Sequence, residues 1–143
     1  GHFDAARSDT VVVDTGNYYP QRDGRIGAIE EGTAESEWVS EQLGRPVVKA
    51  FNNIYAADLL NGGRPAGDPK RVALPISGDD PEAKALISRL IHELGFDVVD
   101  AGSLDESWKQ QPGTPVYTAN LDEAGVRRAL AEASSERPAS FRA

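Results

Sequence analysis

The hydrophobic and polar positions of the chain switch repeatedly between a strand period and a helical period. Val11, Val12 and Val13 form an unbroken β-branched run, the pattern of a strand buried on both faces as in a parallel sheet. A loop rich in Gly, Asp and Arg follows, then EWVSEQLGRP, where Trp38, Val39 and Leu43 share one helical face and Gly44 supplies a stop. Pro46 to Phe51 (PVVKAF) reads as the next strand, and Ile54 to Leu60 as a short helix ending before Gly62 and Gly63. The segment GGRPAGDPKR reads as a surface loop. Arg71 to Ile76 (RVALPI) predicts a third strand, which Pro75 pushes toward a sheet edge or a bulge.

The next helix carries its own start and stop signals. Asp80 suits the N-cap and Pro81 the first helical position, while Ala83, Leu86, Ile87, Leu90, Ile91 and Leu94 keep the helical spacing until Gly95. Phe96 to Asp100 (FDVVD) predicts a fourth strand, and a last helix is expected from Asn120 as cap, with Glu123 answering it. The polar tail, 134–143, reads as frayed. Strands alternating with helices predict a parallel α/β sheet, because parallel neighbours need a crossover. Ligands of such sheets bind at the carboxyl ends of the strands. Here those ends are Thr15, Gly16 and Asn17; Asn52 and Asn53; Ser77, Gly78 and Asp79; Gly102 and Ser103.

Length and composition narrow the function classes. The 143 residues suffice for one domain with a substantial core, so residues 1–143 are expected to form a single domain. No apolar run approaches the roughly 20 residues that span a bilayer, so no membrane partner is expected. A net charge of -8 argues against nucleic acid as a whole-surface ligand. The lack of cysteine excludes a disulfide framework, a thiolate metal site and a cysteine nucleophile. With no signal peptide before the first strand, it points to a cytoplasmic protein. His2 and His92 offer neither a metal-ligand cluster nor a Ser-His-Asp set, which disfavours a zinc enzyme or hydrolase. Asp79 and Asp80 look like a carboxylate pair, but helix capping accounts for Asp80, and neither is taken as catalytic.

The stretches VVVDTGNYYP, GRPVVKAFNNI, ALPISGDD, FDVVDAG and ESWKQQPGTPVY, in this order and spacing, resemble a group of NADP-binding oxidoreductases. That group includes deazaflavin-dependent NADP reductases, pyrroline-5-carboxylate reductases and the cytosolic domain of certain metalloreductases. The resemblance covers roughly residues 9 to 133, and the paired motifs DTGN and KAFNN are its most specific part. It implies a Rossmann-like domain, a mostly parallel sheet flanked by helices, that binds NADP(H) and exchanges hydride with a deazaflavin, a flavin or a related acceptor. Such chemistry asks the protein mainly to position the nicotinamide and exclude water, so no strong acid–base residue is required.

One departure is large. Proteins of this group begin with a strand and a GxGxxG turn, and no GxGxxG occurs in these residues. The expectation is therefore the C-terminal part of such a protein, incomplete at its N-terminal side, supplying the nicotinamide and acceptor side of the site. Within the resemblance, Asn17, Tyr18, Lys49, Phe51, Asn52 and Asn53 are the candidate cofactor-binding residues, and Ser103 and Trp108 the candidate substrate residues. Each has a plain structural alternative. Asn17 can be a turn former, Lys49 a strand-edge lysine reaching water, Phe51 core, Tyr18 or Tyr19 helix packing, and Trp108 packing for the last helix. Arg64, Lys70 and Arg71 can touch a phosphate, although a solvated loop is the simpler reading.

If leading strands are absent, Val11 to Val13 form an unpaired apolar edge. That edge predicts a homo-oligomer, a strand exchange or a companion fragment. A non-catalytic fragment or subunit pairing through it is the alternative function.

Overall fold

A computed structural model of the chain describes residues 5–143. β1 (Val13–Asp14) leads into two single-turn helices, α1 (Pro20–Asp23) and α2 (Gly27–Glu30), and then α3 (Glu35–Leu43). β2 (Val48–Lys49), α4 (Ala56–Asn61), β3 (Ala73–Ile76), α5 (Pro81–Glu93) and β4 (Asp97–Asp100) alternate as expected. A 3₁₀ segment, Leu104–Gln110, and a last α-helix, α6 (Glu123–Glu132), complete the order before a short 3₁₀ turn, Ala139–Phe141. The protein is thus α/β, with small parallel sheets. Among the described residues no helix is long and apolar enough to cross a membrane.

β1 pairs with β2 and β3 with β4, both in parallel, with Val13 opposite Val48 and Leu74 opposite Val98. One bridge joins the pairs: Lys49 N–H donates to Ser77 O (2.8 Å) and Ser77 N–H to Lys49 O (3.0 Å). Pro75 explains why the joint goes no further. Its neighbours on that edge of β3 donate away from β4, Ala73 N–H to Leu121 O (2.9 Å) and Ser77 N–H to Lys49 O (3.0 Å). Pro75, between them, has no N–H, so a continuous ladder cannot form there. Its carbonyl instead accepts Gln110 Nε2–H at 3.2 Å. The expected edge is therefore the β2-facing side of β3, with a side chain inserted in place of a strand.

The β3–β4 pair is covered on both faces, which is why ALPI is buried throughout. On one face Leu74 and Ile76 meet Ile87, Ile91 and Phe96; on the other Ala73 and Val99 meet Val126, Ala129 and Leu130. α5 starts where the sequence places it, with Asp80 Oδ1 accepting Glu82 N–H at 2.9 Å. It is followed by Gly95 at φ 94, whose Cβ would come within 2.7 Å of Arg64 N.

Four expectations need correction. Asn120 is not the cap of the last helix: it sits at φ 48, and Asp122 Oδ1 caps by accepting Gly125 N–H at 2.8 Å. The segment is held on the edge of β3 by Leu121 O, which delays the helix. Arg71 is not in a solvated loop. Its buried guanidinium donates to Arg64 O (2.7 Å) and Phe96 O (2.8 Å) and pairs with Asp97 (2.8 Å), tying the loop to the end of α5. The tail, expected to fray throughout, is largely exposed but pinned at one point, where Arg137 Nη2 pairs with buried Glu35 Oε1 at 2.5 Å and lies 5.1 Å over the Tyr18 ring. Finally, the Val run contributes only Val13 to a strand, since β2 offers just Val48 and Lys49 as partners.

Candidate functional site

The turn after β1 is built around Asp14. Gly16 N–H donates to Asp14 Oδ1 at 2.8 Å, which folds DTG back on its own strand end. Asp14 Oδ2 accepts Ser36 Oγ–H (2.7 Å) from α3 and Lys49 Nζ–H (3.3 Å) from β2. Lys49 also donates to Gly16 O at 2.6 Å and is 0% exposed. A lysine this deep requires a carboxylate, and here Asp14 supplies it. The strand-edge reading of Lys49 is overturned: its charge is directed inward, at a carboxylate of its own chain.

Beside this pair, Asn17 and Asn52 are locked face to face. Asn17 Nδ2–H donates to Asn52 O (2.9 Å), and Asn52 Nδ2–H donates to Asn17 Oδ1 (3.0 Å) and Gln110 O (2.7 Å). Gln110 closes the network: its Nε2–H donates to Asn52 Oδ1 at 3.0 Å, and its Oε1 accepts Ser77 Oγ–H at 2.8 Å. The ends of β1, β2 and β3 are thus tied by side chains in addition to their main-chain pairing. Asn52 is 4% exposed and its amide is fully engaged, so it holds Asn17 rather than meeting a ligand itself. Asn17 is half-buried and lines the neighbouring cavity.

Next to Asn17 opens a cavity of about 380 Å³, lined by apolar Ile26, Ile29, Trp38 and Val39 and by polar Asp14, Asn17 and Lys49. Tyr18 and Glu35, both buried, also line it. Tyr18 N–H donates to Glu35 Oε2 (3.0 Å), and the Tyr18 hydroxyl donates to Glu30 Oε1 (2.9 Å) and accepts Ile26 N–H (3.1 Å). Burial pushes the Tyr18 phenol up, against the opposing pull of the Ile26 N–H. Asp23, at the cavity's rim, is held down to about 2 by the Arg22 guanidinium and the Tyr19 N–H, so it is ionised at neutral pH.

No family model matches the chain. It is 42% identical over 86 residues to YjhV of Escherichia coli K12, across 60% of the chain and 56% of YjhV. The solved structure of the hypothetical protein SMa0349 from Sinorhizobium meliloti matches at TM-score 0.66 and 34% identity, over 80% of this chain and 55% of that one. A proposed F420-dependent NADP reductase from Arthrobacter sp. FB24 matches at TM-score 0.51 and 27% identity, over 66% of this chain and 44% of that one. The chain spans little more than half the length of YjhV and of SMa0349.

The remaining sequence candidates lie apart from Asn17. Phe51 packs against the core from a left-handed φ of 63, a strained position for a side chain with a Cβ. Asn53 is buried, its Nδ2 toward Val116 O (3.5 Å), its Oδ1 without a partner and its backbone O accepting Thr118 N–H (2.8 Å). Ser103 lines an open acidic depression with Glu37, Glu41 and Asp79. Trp108 lines a separate cavity of about 460 Å³ beneath the tail, near Gln111 and Arg137. Among the described residues no His, Asp or Glu group could hold a metal.

Sequence reasoning missed Asp14, Ser36, Glu35, Gln110 and Arg137. Asp14 had a usable signal, since Asp followed two residues later by Gly is a side-chain-anchored turn. Gln110 had none. It acts from a 3₁₀ segment against strand ends that lie 33 and 58 residues away.

Among the described residues, the helix N-termini do not offer an open pyrophosphate site. The three longer helices each carry a side-chain cap where a pyrophosphate would sit. In α3, Glu35 N–H donates to Gln111 Oε1 (2.8 Å); in α5, Glu82 N–H to Asp80 (2.9 Å); in α6, Gly125 N–H to Asp122 (2.8 Å). The open ground is the cavity beside Asn17.

Proposed function

We propose that the chain is the nicotinamide and acceptor side of a Rossmann-like, NADP(H)-dependent oxidoreductase. The observation that carries this reading is the Asn17 amide, fixed by Asn52 and Gln110 at the carboxyl end of parallel strands and facing an open cavity. The likeness to the Arthrobacter protein supports the choice of cofactor, with a deazaflavin, a flavin or a related acceptor as hydride partner. Bound NADPH would supply the hydride. The chain's own part would be to orient the ring through Asn17, back it with Trp38 and keep water away.

Titrating the two halves of the cofactor separately tests this. Reduced nicotinamide mononucleotide is expected to shift the amide NMR signals of Gly16, Asn17 and Trp38, whereas 2′,5′-ADP is expected to leave the spectrum unchanged. With neither pyrophosphate nor 2′-phosphate contacts, which contribute ~1.5 to 3 kcal/mol each, intact NADPH should bind roughly two to four powers of ten more weakly than to a complete site. Shifts from 2′,5′-ADP alone would sink the reading.

A second reading, a subunit that pairs through its sheet edge, is favoured by β1. It is paired on one side only, and the main-chain groups of Val11 and Val13 on the other side have no main-chain partner among the described residues. Light scattering is expected to show a dimer or larger species under this reading. A stable monomer would remove it.

A further inference from the structure

The charge inventory of the cavity beside Asn17 says what it can hold. Its volume, about 380 Å³, lies near the lower end of the roughly 300 to 1,000 Å³ typical of small-molecule sites. Ile26, Ile29, Trp38 and Val39 give it apolar walls. Four lining residues are charged, Asp14, Asp23, Glu35 and Lys49, and all four are engaged. Asp14 and Lys49 face each other at 3.3 Å, Asp23 takes Arg22 at 2.6 Å, and Glu35 takes Arg137 at 2.5 Å. No cation is left to hold an anion, and three carboxylates would oppose one.

What remains unused is hydrogen-bond donors. The Asn17 amide has spent one of its two N–H bonds on Asn52 O, and its oxygen is occupied by Asn52 Nδ2–H. The Trp38 indole N–H has no protein partner among the described residues. Apolar walls, spent charges and free N–H groups together call for an uncharged ligand that offers an oxygen.

We propose that this cavity binds a small, neutral, largely apolar carbonyl compound and rejects anions. The binding does not depend on the oxidoreductase reading above; on that reading, the neutral group held here is the ring that Asn17 orients.

The test uses three probes of matched shape without NADPH, so that it can fail independently of hydride transfer. Acetophenone carries the carbonyl, benzoate carries a charge in its place, and cumene has neither. Acetophenone is expected to give saturable NMR shifts confined to Gly16, Asn17, Trp38 and their neighbours. Cumene should bind about three- to tenfold more weakly for want of one hydrogen bond, and benzoate more than roughly tenfold more weakly at neutral pH. In Trp38→Ala, checked for an otherwise unchanged spectrum, the acetophenone shifts should vanish. Because the comparison among probes needs no variant, a misfolded Trp38→Ala would not blunt it. Acetophenone shifts absent from this region, cumene equal to acetophenone, or benzoate equal to either would overturn the proposal.

Discussion

Replacing Lys49 by Met is expected to lower the unfolding free energy by about 3 to 5 kcal/mol, a loss set by a stranded charge rather than by lost packing. Met keeps most of the length and volume of the side chain, so the cavity term is small. What changes is Asp14, whose side chain is only 9% exposed and would keep Ser36 Oγ–H and Gly16 N–H but no counter-charge. Asp14→Asn alone should also destabilise, because it leaves the Lys49 ammonium with Gly16 O as its remaining partner. The double variant should lose less than the sum of the two, by about 1 to 3 kcal/mol, since neither charge is then left unpaired. Urea melts with an unchanged slope would read these values. Additive losses would mean that the two side chains do not act as a pair.

The same pair shows how far the fold and the site could be read from the sequence. α5 was legible because everything that defines it is local: Asp80 caps it, Pro81 starts it, and Ala83, Ile87 and Ile91 face the sheet at helical spacing. The four strands were placed in the right segments, but all were shorter than their apolar runs. The runs record burial, whereas pairing also requires a partner of equal length. α3 shows the limit. Its spacing pointed to Trp38, Val39 and Leu43 as the inward face, yet its most buried residues are Glu35 and Ser36. Those two are inside because Arg137, 102 residues away, and Asp14 satisfy them, and no periodicity encodes such partners.

The site followed the same division. Asn17, Lys49 and Asn52 were identifiable as polar residues in or just after a strand, and the structure brings them together. Asn53, Ser103 and Trp108 carried similar local signals and point elsewhere. Pro75 decides part of this arrangement. By denying β3 a donor on the β2 side, it leaves a gap that Gln110 fills, and Gln110 in turn fixes Asn52 and Asn17.

That chain of contacts makes Gln110→Leu the sharpest probe of how the strand ends are held. Gln110 is 0% exposed, and Leu approximates its volume without its amide. The exchange would strand the Ser77 hydroxyl, Asn52 Oδ1 and Pro75 O, all of which Gln110 now satisfies at 2.8, 3.0 and 3.2 Å. Each unsatisfied buried polar group costs about 1 to 3 kcal/mol, and partial relaxation should leave a net loss of about 3 to 5 kcal/mol in urea melts. Stability alone would not show that Gln110 positions the site. The second readout is therefore the Asn17 side-chain amide in NMR, which should broaden or shift toward its solvent-exposed position while signals from α5 and α6 stay in place. Gln110→Glu, which keeps an acceptor for Ser77 but loses both N–H donors, should fail on the Asn17 readout as Leu does. A Leu variant that costs under about 1 kcal/mol, with the Asn17 amide undisturbed, would mean that the strand ends hold themselves and that Gln110 only fills space.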